Sequence, residues 1–273
     1  MVRIYKEGTI VNRDRIVIKV GTSTLTNELG NSNLRTMEKL AMVLSDIQNM
    51  GHEVILVSSG AIAVGANKMH MKEKPTSMRM KQAAAAVGQC TNMFLYDKFF
   101  GYYDKMVGQI LLNAEDITQE EKKENLSNTF SALLEQGVIP IVNENDSVSY
   151  TEIESEERLF SDNDVLSAVV AVLCQADKLV ILSDIDGFYD KDPRLFKDAR
   201  LIEQINVIDD SVYNLAGGAG SRRGTGGMRT KLKAADLATA QGIDTIVTNG
   251  KDPDILYKVV NGEPAGTLFK GRR

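Results

Sequence analysis

Short β-branched runs alternate with longer amphipathic stretches along this chain, and that alternation leaves few folds open. The strand-like runs are RIVIKV (15–20), EVILVS (53–58), MVGQILL (106–112), VIPIVN (138–143), KLVILS (178–183) and DTIVT (244–248). Helical periodicity lies between them, over 34–49, 77–105, 119–136, 164–174, 228–241 and 253–260. This order predicts an α/β architecture, with a mostly parallel sheet and helices on both of its faces. Strands that are apolar along nearly their whole length fit burial on both sides. Two stretches break the rhythm. Residues 147–164 alternate as a β-hairpin would, and residues 186–218 read as an extended lobe with short elements. No repeat, low-complexity tract or Pro/Ser-rich linker divides the 273 residues, so one domain over 1–273 is expected.

Charge and cysteine usage exclude several classes of function. The net charge is −5, which disfavours broad binding to nucleic acid or to an anionic membrane. The longest apolar run, 168–174, is far short of a membrane span, and residues 1–15 lack the apolar core of a secretion signal. The two cysteines, Cys90 and Cys174, lie far apart with no CxxC, so neither a disulfide framework nor a zinc site is supported. A soluble protein of the reducing cytoplasm is the expectation.

In open α/β sheets, ligands bind beyond the carboxyl ends of the strands. Unusual residues gather at those ends here: KVGTS (19–23), SSGAIAVG (58–65), NENDS (143–147), SDIDG (183–187) and TNG (248–250). Lys19 sits inside an apolar strand, where an ammonium is costly to desolvate unless an anion pairs with it. Its alternatives are an anion site or an edge position open to solvent, and Gly21 beside it favours the anion. SSG at 58–60 is either a serine helix cap or an anion site at a helix start. NEND at 143–146 suits an Asx-rich turn, an ammonium or a metal-bound phosphate. In SDND (161–164), capping accounts for Asp162 but does not require Asn163 and Asp164 as well.

GGAGSRRGTGGMRTKLKAA (217–235) does not match a Walker loop, and no strand feeds it as a dinucleotide fingerprint requires. GTGGM before an amphipathic helix still has the mechanics of a phosphate site, with Lys231 one turn in; a mobile glycine-rich loop is the other reading. Only His52 and His70 are present, away from these strand ends, which disfavours a Ser–His–Asp or Cys–His hydrolase. Phosphoryl transfer needs positioning and charge neutralisation more than acid–base residues.

The blocks KVGTSTLT, VSSGAIAVG, PIVNENDSV, FSDNDVLSA, LSDIDGFYDKDPR, GTGGMRTKLKAA and the terminal GTLF together resemble the amino-acid kinase family. The resemblance implies a three-layer sandwich of the carbamate kinase-like type, with an N-terminal substrate lobe and a C-terminal nucleotide lobe. It implies phosphorylation of the side-chain carboxylate of L-glutamate by ATP with Mg2+, opening proline biosynthesis. Carried over by position, Lys19, Lys231 and Asp164 would be catalytic, Asp164 also a metal ligand. Ser59, Gly60, Asp146 and Asn163 would bind glutamate. Lys19, Ser183, Asp184, Thr225, Gly226, Gly227, Met228, Arg229, Thr230 and Lys231 would bind ATP. It further implies inhibition by proline and a homo-oligomer, dimer or tetramer. Many members carry a C-terminal PUA domain, which is expected to be absent here. Carboxylates at Glu144 and Asp146 favour a substrate with a free ammonium over N-acetylglutamate or a nucleotide. The alternatives are a related kinase of this family or a non-catalytic sensor on the same fold.

Overall fold

The computed structural model describes residues 3–6, 9–27, 30–148, 162–216 and 226–272. Strands β1 (Arg3–Lys6) and β2 (Thr9–Asn12) pair only with each other, as an antiparallel hairpin. The first half of the main body follows as β3 (Arg15–Val20), α1 (Thr22–Leu25), α2 (Leu34–Asn49), β4 (Glu53–Ser58) and α3 (Ala61–Lys68). Then come α4 (Met78–Gly101), β5 (Val107–Leu112), α5 (Glu115–Thr118), α6 (Glu120–Glu135) and β6 (Ile139–Glu144). The second half runs α7 (Asn163–Leu173), β7 (Lys178–Ser183), β8 (Gln204–Ile205), α8 (Asp210–Ala216), α9 (Gly226–Thr239), β9 (Asp244–Asn249), α10 (Ile255–Val260) and β10 (Thr267–Phe269).

Eight strands form one sheet in the order β5-β6-β4-β3-β7-β9-β10-β8. Every pairing is parallel except β9 with β10. The chain thus starts near the middle at β3, builds outward through β4, then returns to β7 and builds the other side. The strand order reverses beside β3, and in open α/β sheets it is at such a point, beyond the carboxyl ends, that a ligand crevice forms.

Period-two alternation splits each strand between two cores. Val17, Ile55, Val57, Leu179 and Ile181 face α7 and α9, packing with Leu166, Val170 and Leu232. Ile16, Ile18, Leu56, Val180 and Leu182 face the other way, against Leu40 and Leu44 of α2 and Tyr96 and Phe100 of α4. Two helical layers around one buried sheet make the three-layer sandwich.

Helices α3 and α4 meet backbone to backbone. A Cβ on Gly65 would lie 1.7 Å from the Ala84 carbonyl oxygen, and one on Gly88 would lie 1.8 Å from that of Ala61. Only glycine fits at either position, and the contact draws α4 over the loop that leaves β4.

The runs at 15–20, 53–58 and 178–183 form strands with the bounds read from the sequence. The helix expected over 77–105 stops at Gly101, where the chain turns and Asp104 takes a left-handed φ of 56°. Helix α9 begins two residues earlier than read, with Gly226 and Gly227 in its first turn. The extension at 186–218 carries β8, α8 and an isolated Tyr189–Leu201 bridge. Of the hairpin expected over 147–164, residues 149–161, Ser161 among them, lie outside the described residues, and its last two residues belong to α7; 217–225 of the glycine-rich segment also lie outside. Among the described residues no helix is long and apolar enough to cross a membrane.

Candidate active site

Because Val17 faces α7, so does Lys19, two residues on along β3. Helix α7 starts at the same level, with Asp162 as its N-cap accepting from the Asp164 amide at 3.4 Å. That start places Asp164 in the first turn, where the helix dipole favours a negative charge. Helix α9 packs beside α7 and delivers Thr230 and Lys231 to the same point.

The three charged groups meet at Asp164, which is fully buried. Lys19 Nζ lies 2.6 Å from Oδ1, as an ion contact rather than an aligned hydrogen bond, and Lys231 Nζ donates to Oδ2 at 3.0 Å. Side-chain exposure is 7% for Lys19, 12% for Lys231 and 0% for Asp164. Burial alone would push the Asp164 carboxyl up. The two ammonium groups, Lys19 ahead of Lys231, overcome that and hold it below the usual carboxylate value. Two cations on one buried anion leave an excess positive charge at the crevice, which suits a polyphosphate.

Thr230 Oγ1 lies 3.1 Å from Asp162 Oδ2, 3.1 Å from Asp164 Oδ2 and 3.0 Å from the Gly227 carbonyl oxygen. One hydroxyl proton cannot serve all three acceptors, so the carboxylates here keep acceptor capacity beside the two ammonium groups. Among the described residues no three His, Cys, Asp or Glu side chains cluster as a metal cage. A pair of carboxylates is the donor set for magnesium that arrives with phosphate oxygens and keeps several waters. Asp162 was assigned from sequence to capping alone; its second contact depends on α9 and carries no local signal.

On the β4 side, Gly60 adopts φ 91° and turns the chain from the strand into α3, leaving Ser59 at the strand's carboxyl end. Asn163 Nδ2 lies within reach of Ser59 Oγ at 2.9 Å, the Ser58 carbonyl oxygen at 3.1 Å and Asn143 Oδ1 at 2.9 Å. Asn143 Nδ2 in turn donates to Gln89 Oε1 at 3.0 Å. Beneath them, the Ser58 and Tyr96 hydroxyls share a buried hydrogen bond of 2.8 Å. Ser59 and Asn163 are therefore in direct contact. Asp146 instead lines an adjoining cavity of about 460 Å³, together with Ala61, Gln89, Gln109 and Glu144.

On the other side of β3, Ser183 is buried at the end of β7 and donates to the exposed Asp184 carboxylate at 3.1 Å. Gly226, Gly227, Met228 and Arg229 form the start of α9. Thr225 lies outside the described residues. His52 stands at the opposite, amino-terminal end of β4, its Nδ1 accepting from the Asp14 amide at 3.3 Å. The histidines take no part in this site. Sequence reasoning also passed over Gln89 and Tyr96, because neither type stands out on an amphipathic helix.

The model of the family described as the amino acid kinase family matches residues 14–249. The chain belongs to the amino acid kinase family. Among curated relatives, a glutamate 5-kinase of Clostridium perfringens (strain 13 / Type A) is 55% identical, over 95% of this chain and 96% of the relative. One from Listeria monocytogenes serovar 1/2a is 51% identical over 97% and 96%. One from Caldanaerobacter subterraneus subsp. tengcongensis is 48% identical over 93% of this chain, but only 67% of its own length is covered. Two solved structures share the amino acid kinase fold at low identity. The isopentenyl phosphate kinase of T. acidophilum superposes with a TM-score of 0.62 at 17% identity, covering 94% of this chain and all of the other. The UMP kinase of Bacillus anthracis gives 0.63 at 17%, covering 95% and 97%.

Proposed function

We propose that this chain transfers the terminal phosphoryl group of ATP to the side-chain carboxylate of L-glutamate, forming L-glutamyl 5-phosphate and ADP. The observation that carries the reading is the Lys19–Asp164–Lys231 constellation at the strand ends, in a chain 55% identical to a glutamate 5-kinase.

A carboxylate oxygen attacks the terminal phosphorus as the bond to the ADP oxygen breaks. The nucleophile is already an anion, so no general base is needed, which fits a site without histidine. The difficulty is bringing one anion onto another. Lys19 and Lys231 neutralise the transferring group, each from a side that Asp164 fixes. Magnesium bound with the nucleotide would be held by Asp164 and Asp162 and would offset phosphate charge. Ser183, Asp184 and the segment from Thr225 to Lys231 hold ATP. Ser59, Gly60 and Asn163 bind the reacting end of glutamate. Asp146 takes its ammonium, an arrangement that a blocked amine would not satisfy.

Two lobes follow from these assignments within one domain, a substrate lobe before α7 and a nucleotide lobe after it. Cytoplasmic location, inhibition by proline and assembly as a dimer or tetramer belong to the same reading. Activity at fixed glutamate with and without millimolar proline tests the inhibition, and no change would remove it.

The test of the reaction is hydroxylamine trapping of the acyl phosphate with ATP and magnesium, offering glutamate, aspartate or N-acetylglutamate. Hydroxamate is expected from glutamate alone. Reaction with N-acetylglutamate instead would overturn the substrate assignment. ATP binding without turnover on any of the three would leave a sensor as the better reading.

A further inference from the structure

The polar network on the acceptor side has an end that phosphoryl transfer leaves unused. The Ser58 carbonyl oxygen can only accept, so the Asn163 atom 3.1 Å from it is Nδ2. Asn143 must then present Oδ1 to that amide, at 2.9 Å, which turns its own Nδ2 toward Gln89 at 3.0 Å. Gln89 meets that donor with Oε1. Reversing Gln89 would set two N–H groups against each other, so its Nε2 is committed to pointing away from Asn143. A backbone carbonyl on β4 thereby dictates, through two asparagines, the polarity of a glutamine on α4.

The Gln89 side chain lines the cavity that Glu144 and Asp146 also line. Its place there follows from its neighbour: the Gly88 backbone touches the Ala61 carbonyl, drawing this turn of α4 over the loop beyond β4. Apart from the bond to Asn143, the Gln89 side chain makes no hydrogen bond with a described residue. Two carboxylates and one neutral donor around a cavity complement an α-amino acid, whose ammonium and carboxylate carry opposite charges. A lysine or arginine at this position would bring a fixed positive charge into a cavity lined by two carboxylates. An amide donates without adding charge.

We infer that Gln89 binds the α-carboxylate of the substrate through Nε2, and so helps select a zwitterionic amino acid. This rests on the reading of glutamate as phosphoryl acceptor. A hydrogen bond to a charged group contributes enough that its loss weakens binding about tenfold to a hundredfold.

The test compares Gln89→Met and Gln89→Glu with the unaltered chain, reading kcat and KM for glutamate and for ATP by hydroxamate formation, with thermal melting alongside. Gln89→Met removes both ends of the amide; Gln89→Glu keeps an acceptor for Asn143 and removes the donor. Both are expected to raise KM for glutamate at least about tenfold, with KM for ATP within about twofold. A glutamate KM in Gln89→Glu equal to that of the unaltered chain would overturn the inference, because holding Asn143 would then suffice. An equal rise in both KM values, or an unaffected Gln89→Met, would overturn it too. If the unaltered chain fails to phosphorylate glutamate, it is the proposed reaction that falls, and this inference falls with it.

Discussion

Lys19 and Asp164 form an ion pair of 2.6 Å in which both side chains are almost sealed from water. A buried pair of this kind is weak evidence for stability, because desolvating two charges offsets much of their attraction. Lys231 adds a second cation to the same carboxylate, and a purely structural pair would have no use for it. The surplus charge is better explained by an anionic ligand in the crevice.

Replacing either lysine tests this directly. Lys19→Ala and Lys231→Ala are each expected to lower turnover by at least about 10²-fold, the scale on which a preorganised charge or donor acts in a transition state. Each variant keeps one cation on Asp164, so cooperative thermal unfolding should persist. Near-normal turnover in either purified variant would remove that lysine from the mechanism.

The acid limb of stability should carry the signature of Asp164. Its folded carboxyl ionises below the ordinary value, despite burial, because Lys19 and Lys231 face it. A depressed carboxyl stabilises fully above its unfolded value of about 4, and that contribution fades as pH falls through the folded value. Melting temperatures from pH 3 to 7 should therefore show a constant gap between the unaltered chain and Asp164→Asn above about pH 5. The gap should narrow below about pH 4. A gap that widens in acid would mean the carboxyl is not held ionised.

Two glycines of α4 should respond in opposite directions to the same substitution. Gly88→Ala places a methyl 1.8 Å from the Ala61 carbonyl, so α3 and α4 must part. Overpacking of this sort costs about 1–3 kcal/mol. It should also raise KM for glutamate, because Gln89 and Ala61 both line the acceptor cavity. At Gly101, an added Cβ would meet nothing within 4 Å, and the helix should gain up to about 1 kcal/mol. Chemical denaturation of both variants reads the contrast. Equal effects would place the α3–α4 contact among those that relax freely.

Legibility differed from residue to residue for physical reasons. Lys19 was readable because an ammonium inside an apolar strand violates a strong local rule. The strands at 15–20, 53–58 and 178–183 were readable because burial on both faces leaves an unbroken apolar run. Strands β8 and β10, two and three residues long, are too short for any period to register. The β1–β2 hairpin pairs only with itself, outside the main sheet. Asp162 was hidden by its ordinary role as a helix cap, and Gln89 by being one polar residue among many on a helix.

The sequence by itself determined the α/β alternation, the strands that could be buried and the polar residues at their carboxyl ends. Those follow from burial and backbone preference, which act over a few residues. Only the tertiary structure decided which ends meet. Asp164 lies between Lys19 and Lys231 because α7 packs across β3 and beside α9, and those contacts join distant parts of the chain. Likewise, Gln89 takes its polarity from a carbonyl on β4 through Asn163 and Asn143, on a helix that two glycines let pack backbone to backbone against α3. Such pairings depend on sheet order and on the close fit of backbones, which no short stretch of residues encodes.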